Sequence, residues 1–342
     1  MKYRKLGRSG IEVSEIGFGA WTIGLNWWGK NIQDEDAVKM LKRAYDIGIN
    51  FFETADMYGK GKSEKLIGQV FKDMRNEVIY STKWGYDLYS HQQIGHNEIP
   101  QKHTKDFLHF ALKESMSRLQ TDYIDVYSLH NPKLDTIKND MLFDELDNLV
   151  IEGNIKSHGV ALGPAIGWEE EGLYAMKNRR ITSLQTVYNI LEQDPGRSFL
   201  NNYLNSSSKS KDNQRNKTYD VGIMVRVPDA SGVLTGKVNE STIFKENDHR
   251  RYRKKEWITE AMKKIDKIRP IAESKGWSIA QLAIKFILSE EPISTVIPTV
   301  LDIEELESFV DMSDGNYLNK SELREIKELY ENNFYVNSVI NH

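Results

Sequence analysis

Cysteine is absent from the 342-residue chain. Its absence excludes disulfide bridges, thiolate metal centres and cysteine nucleophiles, and it fits a reducing compartment. Long apolar runs are missing too: no window approaches the roughly 18 apolar residues of a membrane span. The charged start MKYRKLGRSGIEVSEIGFG likewise holds no apolar stretch of signal-peptide length, so a soluble cytoplasmic protein is expected. Positive charge is not in excess. With 46 basic and 50 acidic residues the net charge is -4, which argues against nucleic acid or an anionic membrane as the main partner and leaves a neutral or anionic small molecule. Without a secretory route, the Asn-x-Ser/Thr triplets at Asn205, Asn216 and Asn239 read as chance matches to the glycosylation pattern. Nothing in the chain signals an oligomeric state.

Metal and nucleotide-loop signatures are also missing. His91, His96, His103 and His109 lie near one another in sequence but not at zinc-motif spacing, and the first strand has no His-x-His pair. No metal is therefore expected. GVLTGKV has three residues between its glycines where a P-loop has four, and valine follows the lysine.

What is present is 39% hydrophobic content, enough for a large core, arranged as short β-branched and aromatic runs alternating with amphipathic stretches. Strands are predicted at 15–21, 49–55, 77–84, 123–130, 155–162, 181–189, 221–227 and 294–299. Eight strands with helices between them fit a closed (β/α)8 barrel over 1–342 better than a doubly wound open sheet. Residues 1–14 read as a hairpin closing the bottom of the barrel, and the polar stretch near 200–218 as a mobile insertion. The helix DEDAVKMLKRAYDIG is expected to be capped at its start by Asp34 or Asp36, with Gly48 where a C-terminal cap glycine belongs. The last helix, NKSELREIKELYENNF, opens with Ser-x-x-Arg rather than a capping box.

Side chains alternate along a strand, so Phe51 and Glu53 share a face, as do Ser81 and Lys83, and Ser128 and His130. Each charged or imidazole group falls at the C-terminal end of its strand, where barrel active sites are built, and Tyr58 lies just beyond the second strand. A tyrosine ionises near pH 10 in isolation and needs a nearby cation to act as an acid or base around neutrality. Lys83 can supply that charge, with Glu53 holding the lysine and His130 bonding the oxygen of a carbonyl. The four together form a proton-donor site for a small-molecule carbonyl substrate, with hydride supplied by a cofactor. Taken singly, each residue reads better as an ion pair or polar cap of an ordinary barrel rim; it is the four together on successive strand ends that favour the active site.

The segments GFGAW, GINFFETADMYGKGKSEKLIG, STKWG, RLQTDYIDVYSLHNP, SLQTVYN and GVLTGK run in order through most of the chain. In these the chain resembles the aldo-keto reductases. The resemblance implies a (β/α)8 barrel, a nicotinamide cofactor bound without a Rossmann domain, and a tetrad falling on Glu53, Tyr58, Lys83 and His130, with Tyr58 as proton donor. Gln185 is the retained carboxamide partner. The other implied cofactor positions are Trp21, Arg226, Pro228, Ser231, Gly232, Lys237, Thr299, Leu301 and Glu305. Trp27, Trp28 and Trp84 lie on loops at the expected mouth, where they either wall the substrate pocket or pack the loops on the barrel rim.

Several positions depart from the family pattern. Glutamate replaces its aspartate at Glu53, adding roughly 1.5 Å of reach where catalytic geometry tolerates about 0.5 Å. The family's GVSN reads GVAL, at Ala161 and Leu162. Arg226 stands where an aromatic ring would stack, and a guanidinium can stack on a planar ring too. Asp229 adds negative charge to the loop expected to cradle the pyrophosphate. Leu301, Asp302 and Glu305 oppose the extra phosphate of NADP, so of NADP and NAD the second is less disfavoured than is usual for the family. HRRYRKK, residues 249–255, can reach a phosphate from a barrel loop, but reads better as a solvated basic helix start. A carbonyl reductase is the leading expectation, and a barrel that binds a ligand for a regulatory purpose is the competing one.

Overall fold

A computed structural model describes residues 1–91, 98–163, 167–209 and 220–337. A hairpin comes first, β1 (Tyr3–Lys5) antiparallel to β2 (Glu12–Ser14). Eight parallel strands follow: β3 (Phe18–Gly19), β4 (Phe51–Glu53), β5 (Ile79–Trp84), β6 (Ile124–His130), β7 (Ile155–Ala161), β8 (Ser183–Val187), β9 (Gly222–Arg226) and β10 (Ile293–Ile297). Each pairs with the next in sequence order. The ring closes where Gly17 N donates to Val296 O at 2.9 Å and Val296 N to Glu15 O at 2.8 Å. The architecture is the (β/α)8 barrel expected from the strand pattern.

Barrel strands are covered on both faces, which is why β4 and β6 are buried along their whole length. Inward residues Phe51, Val126, Met224 and Ile297 meet Leu6 and Val13 of the hairpin segment and fill the lower end of the barrel. Outward residues such as Phe52, Tyr80, Tyr127 and Leu184 pack in the larger core that includes the surrounding helices. The interior of the lower end is thus a packed plug, and the barrel interior opens at the upper end.

Several local expectations are corrected. Helix Asp34–Asp46 has Gln33 as its N-cap, with no side-chain cap; Asp34 and Asp36 sit in the first turn. There they complement the helix dipole, and Asp34 also pairs with Lys62 at 2.6 Å. Gly48, by contrast, is the expected C-terminal cap glycine: it follows the C-cap Ile47 with φ 93°, and Gly48 N and Ile49 N donate to Tyr45 O and Ala44 O, each at 2.9 Å. Helix Lys320–Glu331 does carry a capping box. Its cap is Asn319 and its reciprocal partner Glu322, whose carboxylate accepts from Asn319 N at 2.8 Å; the box begins two residues before the Ser-x-x-Arg pattern. Helix Gly196–Lys209 runs into the segment read as an insertion, and residues 210–218 of that segment lie outside the described residues. The first strand stops at Gly19, so Trp21 opens a helical turn, Trp21–Gly24, over the rim.

Candidate active site

Three strand ends bring the four polar residues together. Glu53 ends β4, Lys83 is the penultimate residue of β5 and His130 ends β6. Tyr58 follows in a tight turn, its N–H donating to Ala55 O at 3.1 Å. That turn presses on the helical turn after β3: a Cβ on Gly59 would lie 2.4 Å from Gly24 O, so the residue after Tyr58 has to be glycine. The order of the motif therefore places the phenol at the barrel mouth.

Lys83 is the hub. Its Nζ donates to Thr54 O at 2.7 Å and to Tyr58 OH at 3.1 Å, and forms an ion pair with Glu53 Oε1. All three ammonium protons are thereby used. Burial pulls the Lys83 pKa down, but the charges of Glu53 and Tyr58 outweigh it and the net shift is upward. Lys83 is a fixed cation at neutral pH.

Tyr58 shows the opposite balance. Burial and the Glu53 carboxylate raise its pKa by more than Lys83 and Arg226 lower it. The expected depression by Lys83 is present but outweighed, so the phenol holds its proton throughout the neutral range. His130 sits edge-on to Tyr58, ring centroids 6.0 Å apart. Burial, with Lys83 and Arg226 adding to it, pushes the imidazole well below its usual value. It is neutral, and a neutral imidazole can donate one hydrogen bond to a carbonyl oxygen without carrying charge.

Above Glu53 and Tyr58 opens a cavity of about 760 Å³, with Lys83 and His130 set behind its lining, within the range of small-molecule and cofactor sites. Glu53, Tyr58, Gln185, Arg226, Ser231 and Thr299 line it together with Trp21, Trp27 and Trp28. Gln185 donates from Nε2 to Glu53 Oε1 at 2.9 Å, and its Oε1 is buried with no hydrogen-bond partner. Arg226 reaches from β9 to the end of β7, donating to Leu162 O at 2.6 Å and to Gly163 O. It thus fills the corner where Ala161 and Leu162 offer no polar side chain.

Other expected site residues are placed elsewhere. Trp84 does not wall the cavity: it follows Lys83 on β5, so alternation turns it outward. There it is fully buried, stacked on Tyr127 with centroids 6.1 Å apart and edge-on to His103. Pro228, Gly232, Lys237, Leu301 and Glu305 are also absent from the lining. Lys237 is ion-paired with Glu305, which in turn accepts from Leu301 N at 2.7 Å. Gly232 N, expected to face a phosphate, donates instead to Asp229 O at 3.0 Å.

Two cavity residues come from the run read as solvated. His249 and Arg253 both line the cavity. His249 N donates to Trp27 O at 2.9 Å, and its ring lies 4.5 Å from that of Trp28 and 5.4 Å from that of Trp21. Arg250 is held by Asp248 at 2.7 Å and covers Trp28, 4.5 Å from its ring centre. The loop after β9 thus docks on the loop after β3. Glu192, 3.5 Å from Arg253, lines the same wall and was likewise not singled out. Position on a long loop following a barrel strand was the available signal for all three.

Asp229 is buried and its carboxyl is pushed up to about 6 by desolvation. A raised carboxyl binds more protons folded than unfolded, so its penalty is absent below the unfolded value, near 3.8, and complete above about pH 6. At about 1.4 kcal/mol per unit, the two-unit shift is worth roughly 3 kcal/mol. Asp229→Asn is accordingly expected to raise the thermal midpoint at pH 7, with the gain over the parent vanishing below pH 4. A gain of the same size at both pH values would refute the burial penalty.

The Aldo/keto reductase family profile matches residues 15–331. A rice (Oryza sativa subsp. japonica) protein named "Probable voltage-gated potassium channel subunit beta" is 30% identical over 311 residues, covering 87% of this chain and 86% of its own. Aldo-keto reductase YhdN of Bacillus subtilis is 28% identical over 345 residues, covering 97% and 94%. Among solved structures, the holo form of aldo-keto reductase AKR11C1 from Bacillus halodurans superposes with a TM-score of 0.72 at 26% identity, covering 96% of each chain.

Proposed function

The chain belongs to the aldo/keto reductase family, and from that premise we propose that it reduces an aldehyde or ketone, or oxidises the alcohol, with a nicotinamide cofactor and Tyr58 as proton donor. The observation that carries this reading is the buried Lys83 with its ammonium shared between Glu53, Thr54 O and the Tyr58 hydroxyl. A solvated rim ion pair would not need a phenol as its third partner.

The cavity residues suit the cofactor's nicotinamide end. A carboxamide offers both an N–H donor and a carbonyl acceptor; Gln185 Oε1 is a buried acceptor without a donor, and Arg226 is a donor on the neighbouring strand β9. Trp21, Ser231 and Thr299 would flank the remainder. When bound, the cofactor supplies or accepts hydride at the carbonyl carbon. The chain's own residues do the rest: neutral His130 orients the carbonyl oxygen, Tyr58 OH delivers the proton to it, and Lys83 stabilises the phenolate left behind. The tryptophans and His249 exclude water from the mouth.

NADH is the expected partner. Lys237 is already paired with Glu305, and Lys30 is taken up by Leu301 O at 2.8 Å and Asp302 at 3.5 Å. The extra phosphate of NADPH would have to displace these partners. Tryptophan fluorescence titration with each reduced cofactor tests the proposal: NADH should bind more tightly than NADPH, and failure of both to bind at millimolar concentration would sink it. Glu305→Gln releases Lys237 and should improve NADPH affinity by about two- to fivefold, the range of a partly exposed ion pair, while barely moving NADH. An equal gain for both cofactors would remove Glu305 from the preference.

A regulatory reading has one supporting observation, the rice relative named as a channel subunit. It gains ground over the reductase if a cofactor binds and no carbonyl is turned over.

A further inference from the structure

We propose that Gln185 is a positioning residue for the acid Glu53, and that the long acid and the glutamine operate as one unit. The proposal rests on the reductase reading of the same site. Glutamate carries its carboxylate one methylene further from β4 than aspartate does, and it has one more rotatable bond to restrain. Here the carboxylate crosses the barrel interior and receives Gln185 Nε2 at 2.9 Å from β8. The same oxygen, Oε1, pairs with Lys83. Gln185 is 1% exposed and Glu53 4% exposed, so water does not compete for this bond.

The direction of the amide follows from charge. A carboxylate accepts only, so the NH2 group of Gln185 faces Glu53 and Oε1 is turned away, where it has no partner. Gln185 thereby restrains the added reach of Glu53 on one side while Lys83 restrains it on the other. With both anchors in place Lys83 is held against Tyr58 OH at 3.1 Å. Removing the β8 anchor leaves Glu53 free to rotate on its longer stem, and the lysine follows the carboxylate away from the phenol. A shorter acid would not reach β8 and would not need the anchor.

The inference makes the roles of the two residues interdependent. Gln185→Met keeps the side-chain volume and deletes both polar ends. In the parent background it should lower kcat at saturating NADH by about tenfold or more, over and above any loss of NADH affinity from deleting the carboxamide acceptor Oε1. In a Glu53→Asp background the same substitution should lower kcat by less than about threefold, because the bond it deletes is already gone. Equal losses in both backgrounds, or a loss confined to NADH affinity, would overturn the proposal and leave Gln185 with a cofactor role alone. If the parent protein reduces no carbonyl, the reductase reading fails separately and the pair is read by thermal unfolding. Non-additive shifts for Glu53→Asp and Gln185→Met then support the bond, and additive shifts overturn it.

Discussion

Tyr58→Phe is expected to lower kcat for carbonyl reduction by about a thousandfold, within the span that a positioned general acid contributes. Cofactor affinity should stay within about twofold, because the substitution removes one oxygen from the cavity and no volume from its walls. The direction of the Tyr58 shift adds a pH signature. Burial and Glu53 hold the phenol protonated above its ordinary range, so carbonyl reduction should be flat across neutral pH. Alcohol oxidation needs the phenolate as base, and its rate should keep rising with pH beyond 10. A reduction rate falling through neutral pH, or undiminished turnover in Tyr58→Phe, would reject Tyr58 as the donor.

Lys83→Met should produce the second large effect, in two separable quantities. Activity is expected to fall by about a thousandfold, since the phenolate formed on proton transfer loses its counter-charge. Stability should fall as well, because Glu53, 4% exposed, is left as a buried carboxylate without its cation. Breaking one side of a buried pair is typically worth about 3–5 kcal/mol. Adding Glu53→Gln to Lys83→Met removes the stranded charge and should restore much of the lost stability with none of the activity. If the double variant regains turnover, the lysine acts only through the ion pair and not on Tyr58.

The barrel was legible because its strands announce themselves. INFFETA, YIDVYSLH and VGIMVRV are short β-branched and aromatic runs separated by helical periodicity, and each contains a strand of the observed sheet. The tetrad was legible through strand alternation and through FFETADMYG, whose glycine after the tyrosine is required by the contact with Gly24 O. Alternation also misplaces no residue when it is applied one position further: it turns Trp84 outward, and the expectation that Trp84 faces substrate ignored it. Contacts between distant loops were not legible. HRRYRKK has a surface composition, and only the docking of His249 on Trp27 O and of Arg250 on Trp28 turns it toward the cavity. The pairings Gln185–Glu53 and Lys237–Glu305 join residues 132 and 68 positions apart, so no local pattern contains them. The sense of the Tyr58 shift was missed for a related reason. A cation at hydrogen-bond distance is visible as a motif, whereas burial and the opposing Glu53 charge emerge only from the packed site.

The central claim, that this barrel carries out hydride-coupled carbonyl reduction with Tyr58 as the acid, is tested most directly by single-turnover mixing. The protein is loaded with NADH, mixed with a panel of aldehydes and ketones, and the loss of reduced-nicotinamide absorbance is followed in the parent and in Tyr58→Phe. At least one carbonyl should produce a concentration-dependent decay in the parent that is a hundredfold or more slower in Tyr58→Phe. A cofactor that binds but stays reduced with every carbonyl, or that decays equally fast in both proteins, would contradict the claim.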